Sequence, residues 1–268
     1  MICRLWSKRF AYCYWTVFVL ASGCSHASDT PVAYSPKARH YDAVAIEKKP
    51  FDRANFVQGL EFYGNTLLVS SGLYGQSVLR AYSWPELERV KEQPLPAQLF
   101  GEGLTRIDEK IYLLTWRARR LLVINAETLK IESAAQLPGE GWGATSYQNQ
   151  LFWSDGSDRI MSIELGGDSK ITVVHVTLDG APVYRLNELE WIDGEIWANV
   201  WQTNEIMRIE PNTGRVTGVI HLPQLLNSED RQVDTDVLNG IALHQDTGDV
   251  WVTGKRWPWL YKITLESR

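Results

Sequence analysis

The amino-acid sequence predicts an all-β fold built from repeated four-stranded units, and three observations support this prediction. Short runs of alternating or β-branched residues follow one another after the polar segment 28–39, separated by Gly, Asn, Asp and Pro. No amphipathic helical pattern of useful length interrupts them. A short sequence pattern also recurs along the sequence at similar spacing, which indicates an internal structural repeat.

The recurring pattern occurs five times and opens each repeat. Its copies are Gln58–Glu61, Glu102–Thr105, Trp142–Thr145, Asn187–Glu190 and Asn239–Ala242, and their first residues are 44, 40, 45 and 52 positions apart. A turn and a second apolar strand follow each copy, a third strand follows in every repeat, and a fourth follows in four of them. Four strands in a repeat of this length are typical of a β-propeller blade.

The two ends of the repeat array are complementary. The fifth repeat reaches Arg268 with only three strands, whereas a spare strand, Tyr41–Lys48, precedes the first repeat. Pairing the spare strand with the last repeat would close a ring and cover an open sheet edge. We therefore expect a five-bladed β-propeller over residues 41–268, with the N-terminal strand completing the last blade. A large β-sandwich is the alternative architecture, but it does not account for the repeat.

The N-terminal segment has the pattern of an export signal. Arg4, Lys8 and Arg9 precede the uncharged apolar run Phe10–Ala21. This run is too short to span a bilayer comfortably, which favours a cleaved signal peptide over a membrane helix. The sequence thus predicts a signal peptide over residues 1–23, a polar tether over residues 24–40, and a periplasmic location.

Cys24 is the predicted lipidation site. Leu20–Cys24 resembles a bacterial lipobox, although Ala21 stands where Leu is usual, and we expect Cys24 to anchor the protein to the membrane. Cleavage near Ser25–Ala27 would instead release a soluble protein. All 3 cysteines lie within the first 24 residues, so a domain cleaved at Cys24 has no disulfide.

Charge and motif content exclude several classes of function. The net charge of −5 becomes −8 without the three cations of the signal segment, and the sequence has no long run of Lys and Arg, which argues against a nucleic-acid partner. The sequence contains no Gly-x-Ser-x-Gly elbow, no phosphate-binding glycine loop and no His-Glu-x-x-His motif. The 5 histidines are scattered without metal-ligand spacing, so we predict no metal-binding residues. Carboxylates, amides, lysine and tryptophan are left to carry any catalysis.

In a propeller, equivalent positions of all repeats meet near the central axis. The residues that open the repeats are Gln58, Glu102, Trp142, Asn187 and Asn239. The ends of the second strands add Trp116, Asp155, Asn199, Trp201 and Lys255. These side chains are polar, charged or aromatic and differ between repeats, as in one site assembled from several blades. Each also has a structural interpretation, because Asn and Asp form turns and buried Trp commonly packs in cores.

Ten motifs in order resemble those of the plant and bacterial glutaminyl cyclases, the glutamine cyclotransferase family, over roughly residues 50 to 262. They are Phe56–Glu61, Gly72–Ser77, Phe100–Thr105, Leu114–Trp116, Gly141–Gly143, Ser154–Ser157, Leu186–Glu190, Ala198–Trp201, Leu238–Ala242 and Thr253–Lys255. One departure from the family pattern is visible, because Val69 stands where the family usually has Glu.

The resemblance implies a five-bladed propeller enzyme that converts the N-terminal glutamine of peptides to pyroglutamate and releases ammonia. It places the catalytic carboxylate on Glu102. It places substrate-binding polar groups on Gln58, Glu61, Asn187 and Lys255. It places the pocket aromatics on Phe56, Phe100, Trp116, Trp142 and Trp201.

The resemblance implies that no cofactor is required, with room for a structural metal in the central channel. The expected partners are peptides or proteins with N-terminal Gln, and the expected state is a monomer. A non-catalytic, membrane-tethered propeller that binds other proteins is the main alternative. A sugar- or quinone-dependent oxidoreductase is a third interpretation. The binding propeller does not explain the convergence of Glu102, Lys255 and Gln58 with three tryptophans. The oxidoreductase would need metal or cofactor ligands, which the sequence does not show.

Overall fold

The structure is a computed structural model that describes residues 36–167, 170–223 and 225–268. The residues Lys37–Arg268 form one compact unit. The predicted signal peptide and Cys24 lie outside the described residues. Within the part of the protein that the structure describes, no helix has the length and apolar character needed to span a membrane.

The described residues form β-strands and one short 3₁₀ helix, Ser228–Asp230. The strands are β1 (Arg39–Pro50), β2 (Val57–Tyr63), β3 (Thr66–Ser71), β4 (Val78–Ser83), β5 (Arg89–Pro94), β6 (Gly101–Ile107), β7 (Lys110–Thr115), β8 (Arg120–Asn125), β9 (Ile131–Gln136), β10 (Ala144–Tyr147), β11 (Gln150–Ser154), β12 (Arg159–Glu164), β13 (Thr172–His175), β14 (Thr177–Leu178), β15 (Ala181–Pro182), β16 (Leu186–Ile192), β17 (Glu195–Val200), β18 (Glu205–Ile209), β19 (Val216–His221), β20 (Leu238–His244), β21 (Asp249–Gly254) and β22 (Trp259–Ser267). The prediction of an all-β fold is confirmed.

The strands assemble mostly in sequence order. Strands β2 to β5, β6 to β9 and β10 to β13 each form an antiparallel four-stranded sheet. An eight-stranded sheet has the order β16-β17-β18-β19-β1-β22-β21-β20, and β14 and β15 form a separate hairpin. Short connections therefore place consecutive strands side by side, as the repeat predicts.

The N-terminal strand β1 pairs antiparallel with β22, from Tyr41 opposite Ser267 to Pro50 opposite Trp259. This is the partner that the repeat pattern predicts. The other edge of β1 pairs parallel with β19, which the repeat pattern does not predict. This second pairing joins two antiparallel sets of four strands into one eight-stranded sheet.

The apolar core lies between successive sheets. One cluster packs Leu68 and Leu79 of the β2–β5 sheet against Leu104, Ile111 and Leu113 of the next sheet. Other clusters fill the spaces between later sheets in the same way. Each sheet is thus covered on both faces, which explains why the inner and second strands read as apolar runs.

The strands that open the repeats, β2, β6, β10, β16 and β20, contact one another in cyclic order. Their glycines allow this close approach. A Cβ added to Gly59 would lie 2.6 Å from the Leu104 nitrogen, and one added to Gly143 would lie 1.8 Å from the Asn187 carbonyl oxygen. At Gly59 and Gly143, glycine at the second position of the pattern is therefore required by packing of backbone against backbone.

In the fourth repeat, a carboxylate replaces this glycine. The buried Glu188 side chain accepts hydrogen bonds from the backbone nitrogens of Leu60 at 3.3 Å and Ile241 at 2.9 Å. Two residues further along β16, Glu190 accepts one from Leu243 at 2.9 Å. Burial raises the pKa of both carboxyls well above their usual range. These side chains link β16 to its neighbours and satisfy buried N–H groups outside the sheet ladders.

Candidate active site

A cavity of about 310 Å³ lies where the first residues of several repeats meet. The lining residues are Phe56, Gln58, Phe100, Glu102, Trp116, Trp142, Asn187, Trp201, Asp236 and Lys255. All but one of the residues assigned to catalysis or substrate binding from the sequence are therefore brought together here. Their roles toward a substrate stay predictions.

Irregular strand pairing aims the polar side chains into this cavity. Gln58, Glu102 and Asn187 are the second residues of β2, β6 and β16. At each of them the pairing with the following strand shifts register. Such bulges redirect a side chain and are frequent beside active sites. The repeated pattern therefore fixes the position of these three groups. Asn239, the second residue of β20, lies at the same kind of register shift but does not line the cavity.

The aromatic residues and the lysine come from the segments that flank the same strands. Trp116, Trp201 and Lys255 directly follow β7, β17 and β21, whereas Phe56 and Phe100 directly precede β2 and β6. Equivalent positions in different repeats thus supply different side chains to one cavity.

The aromatic side chains form two groups. Phe100 packs on Trp116 with ring centroids 5.4 Å apart and on Phe56 at 6.4 Å. Trp142 packs edge-to-face on Trp201 at 5.7 Å. These contacts leave a predominantly apolar wall around the few polar groups, as is usual for small-molecule sites.

Glu102 and Lys255 are the ionisable groups buried in this wall, and each is only 5% exposed. Burial raises the pKa of the Glu102 carboxyl well above its usual range, Lys255 opposes this shift, and the negative charge of Glu140 adds to it. Burial lowers the pKa of Lys255, while Glu102 and Asp236 oppose that shift. A carboxyl in this environment holds its proton more firmly than a solvated glutamate does.

The two amides contribute hydrogen-bonding groups. The Asn187 Oδ1 atom is buried and has no hydrogen-bond partner among the described residues. Gln58 Oε1 receives only a long contact of 3.4 Å from Asn239 Nδ2. Because an unpaired buried polar atom is costly, the Asn187 oxygen is an acceptor available to a ligand.

Comparison with known proteins agrees with this geometry. A family model described as glutamine cyclotransferase matches residues 16–265. The protein belongs to the glutamine cyclotransferase family. A glutaminyl-peptide cyclotransferase from Arabidopsis thaliana is 37% identical over 229 residues, which is 83% of this sequence and 71% of the relative. The crystal structure of Myxococcus xanthus glutaminyl cyclase is similar with a TM-score of 0.79 and 32% identity, covering 87% of this protein and 100% of that one.

Glu61 is the one predicted site residue that does not line the cavity described above. It lies three residues beyond Gln58 on β2, which separates the two by about 10 Å at the rise of a strand. Its carboxylate accepts hydrogen bonds from the Arg106 backbone nitrogen at 3.0 and 3.2 Å. Burial raises its pKa to about 7. Glu61 therefore links β2 to β6, as Glu188 and Glu190 link β16 to its neighbours.

The departure at position 69 lies outside the cavity as well. Val69 is fully buried and packs in an apolar cluster with Val57 and Leu60. Valine here therefore fills core space next to β2 instead of supplying a carboxylate.

Among the described residues, no group of three or more His, Cys, Asp or Glu side chains is arranged to hold a metal ion.

Three other polar candidates have structural contacts. Asn239 Nδ2 donates to the Val57 carbonyl at 3.0 Å, and Asn199 Oδ1 accepts from a backbone N–H of β20 at 2.9 Å. Asp155 accepts from the Ser157 backbone nitrogen at 3.1 Å and so forms a turn.

Asp236 lines the cavity, yet it was not among the residues predicted from the sequence. It lies between the 3₁₀ helix and β20, outside the repeated positions, and its backbone carbonyl accepts from Trp257 Nε1 at 2.9 Å. No periodic signal marks such a residue, because the connecting segment 222–237 is longer than the connections between the other repeats.

Proposed function

We propose that this protein cyclises the N-terminal glutamine of peptides to pyroglutamate and releases ammonia. The observation that carries this proposal is the convergence of Glu102, Lys255 and a tryptophan-lined wall on one small cavity. Membership of the glutamine cyclotransferase family supports it, as does the similarity to the Arabidopsis and Myxococcus relatives.

The reaction is intramolecular, and this determines what the protein must supply. The α-nitrogen attacks the γ-carbonyl carbon of the same residue, a lactam C–N bond forms, and the C–N bond of the γ-carboxamide breaks with ammonia as the leaving group. Trp142 and Trp201 on one side and Trp116 on the other would hold the folded-back conformer and exclude water. We propose that no cofactor takes part, because nucleophile and electrophile belong to one substrate residue.

Proton transfer is assigned to Glu102. In this proposal the carboxylate takes a proton from the α-ammonium and later gives it to the departing nitrogen. Its raised pKa supports the first transfer, since a carboxylate with a raised pKa is a stronger base than a solvated glutamate. Lys255 and Gln58 would stabilise the oxyanion that forms on the γ-carbonyl oxygen, and the unpaired Asn187 Oδ1 would accept from the α-nitrogen.

We infer that the fold is a five-bladed β-propeller. The eight-stranded sheet divides at the parallel β1–β19 pairing into β16 to β19 and β20 to β22 with β1. Together with the three four-stranded sheets this gives five units of four strands. The cyclic contact of β2, β6, β10, β16 and β20 supports the same arrangement, with β1 as the outer strand of the last blade. We expect the folded unit to act as a monomer, because its cavity is formed within one subunit.

The activity is tested with purified protein and a peptide that begins with glutamine. We expect ammonia release and a product that has lost one molecule of ammonia, at a rate far above that of spontaneous cyclisation. The same peptide with an acetylated α-nitrogen is the matched control, because its nitrogen cannot attack. Absence of ammonia release above the uncatalysed rate would rule out the proposed activity.

We further propose that residues 1–23 are a cleaved signal peptide and that a lipid on Cys24 anchors the protein in the periplasm. The cationic start, the apolar run and the lipobox-like Leu20–Cys24 support this proposal. Cys24→Ala is expected to leave specific activity unchanged and to move the protein from the membrane fraction to the soluble fraction. Cys3→Ala, within the removed segment, is the control and should stay in the membrane fraction. A soluble wild-type protein with a mature terminus beyond Ala27 would contradict the proposal.

A further inference from the structure

Glu140 contacts two walls of the cavity at once, although it does not line the cavity itself. It lies between β9 and β10, two residues before Trp142. One of its carboxylate oxygens, Oε2, accepts from Trp116 Nε1 at 2.8 Å and from Trp142 Nε1 at 3.1 Å. Hydrogen bonds to a charged acceptor are about twice as strong as neutral ones, so both indoles are held firmly.

The two indoles belong to different aromatic groups. Trp116 packs against Phe100, whereas Trp142 packs against Trp201. The Glu140 carboxylate is therefore a polar link between the two sides of the apolar wall. The spacing between these sides sets the width available to a folded-back glutamine side chain.

In this protein, a buried indole N–H does not always have a hydrogen-bond acceptor. Several tryptophan Nε1 atoms are buried with no hydrogen-bond partner among the described residues; they belong to Trp153, Trp197, Trp251 and Trp259. These indoles are fixed by packing alone. The two cavity indoles that share Glu140 differ from them, which points to a role in the cavity.

Glu140 also acts on Glu102 through its charge. Its carboxylate helps to raise the pKa of Glu102, whereas Lys255 opposes this shift. The other charged groups nearby are Asp236, which faces Lys255, and Arg117, whose guanidinium lies 4.2 Å from the centroid of the Trp116 ring. Removing the Glu140 charge would therefore lower the pKa of Glu102 and leave Lys255 in place.

We propose that Glu140 is a positioning residue for glutamine cyclisation, which fixes the distance between Trp116 and Trp142 and keeps negative charge near Glu102. This inference rests on the proposed function. Glu140 need not touch the substrate, because it acts through the two indoles and through its field. A residue of this kind affects both the rate and the pH dependence of the reaction.

Two variants separate the two effects. Glu140→Gln keeps the shape and one acceptor oxygen but removes the charge. We expect it to lower kcat/KM roughly ten-fold, given the usual strength of hydrogen bonds to charged groups. The limb of the pH profile that reports Glu102 is the one that is lost in Glu102→Gln. We expect Glu140→Gln to move this limb to lower pH. Glu140→Asp keeps the charge but shortens the reach, so it should lower kcat/KM without moving that limb. Glu86→Gln, on an exposed turn, is the control and should change neither quantity.

A second measurement does not depend on activity. In protein labelled with ¹⁵N-tryptophan, the indole signals of Trp116 and Trp142 can be assigned from their Trp→Phe variants. Glu140→Gln is expected to shift these two signals and to leave the indole signals of Trp153 and Trp251 unchanged.

Several outcomes would overturn the inference. Unmoved indole signals would show that the contact is absent, and an unmoved pH limb in Glu140→Gln would remove the electrostatic role. If Glu140→Gln does not fold, Glu140→Asp carries the test, and an unchanged kcat/KM there overturns the positioning role. Wild-type protein that releases no ammonia would refute the proposed function and this inference with it. The indole shifts would then still distinguish that failure from a missing Glu140 contact.

Discussion

Glu102→Gln is expected to lower kcat by about 10²- to 10⁴-fold, the range for a positioned acid–base group. Glutamine keeps the shape of the side chain and its place on β6, but it cannot accept and return a proton. Because the wild-type pKa is raised by burial, activity should change with pH above the usual range of a glutamate, and the variant should lose this dependence. Steady-state kinetics between mildly acidic and mildly alkaline pH measure both effects.

Folding and binding provide the controls for this experiment. Glu102 lies in a cavity, so the variant should keep the melting temperature of the wild type within a few degrees, and KM should change little. Glu88→Gln, an exposed residue after β4, should behave as wild type. Activity of Glu102→Gln within a few-fold of wild type would exclude Glu102 as the proton shuttle.

Gly143→Ala is expected to destabilise the fold by about 3 kcal/mol or more, at or beyond the upper end of the usual range for overpacking. The added Cβ would lie 1.8 Å from the Asn187 carbonyl oxygen and 2.7 Å from the Cα of Glu188, so β10 and β16 must separate. This movement would displace the Asn187 amide from the cavity and weaken the links that Glu188 makes to its neighbours. Urea denaturation of the variant measures the loss of stability directly.

Gly139→Ala is the matched control for this substitution. A Cβ at Gly139 would meet no atom within 4 Å, so the same chemical change should leave stability within about 0.5 kcal/mol of wild type. If Gly143→Ala proved equally harmless, the close approach of β10 and β16 described above would be incorrect.

The sequence predicted most of the fold and of the candidate site because both recur with the repeat. The bulged second residues of β2, β6 and β16 carry Gln58, Glu102 and Asn187, and each is marked by the same pattern. Trp201 and Lys255 occupy equivalent positions after second strands. The family resemblance then assigned chemistry to these positions, which periodicity alone could not do.

The remaining features depend on contacts between residues far apart in sequence. Glu140 lies two residues before the residue that opens its repeat, as Phe56 and Phe100 do, but its contacts with Trp116 and Trp142 can be seen only in three dimensions. Asp236 lies in the connection 222–237, which is longer than the connections between the other repeats, so no pattern marks it. Glu61 carries the family motif, yet its backbone hydrogen bonds to β6 can be seen only in three dimensions. The parallel pairing of β1 with β19 was missed because a spare strand was expected to pair on one edge only.

The pairing of β1 with β22 has a consequence for how this protein folds. The Arg268 guanidinium contacts the Asp42 carboxylate at 2.6 Å, across 226 positions of sequence. During synthesis, β1 emerges early and stays without its antiparallel partner until β22 follows. Its exposed edge is open to wrong pairing throughout that interval, and contacts of such long range slow folding. The exposed charged side chains of β1, including Glu47 and Lys48, disfavour such pairing with other molecules until β22 is available.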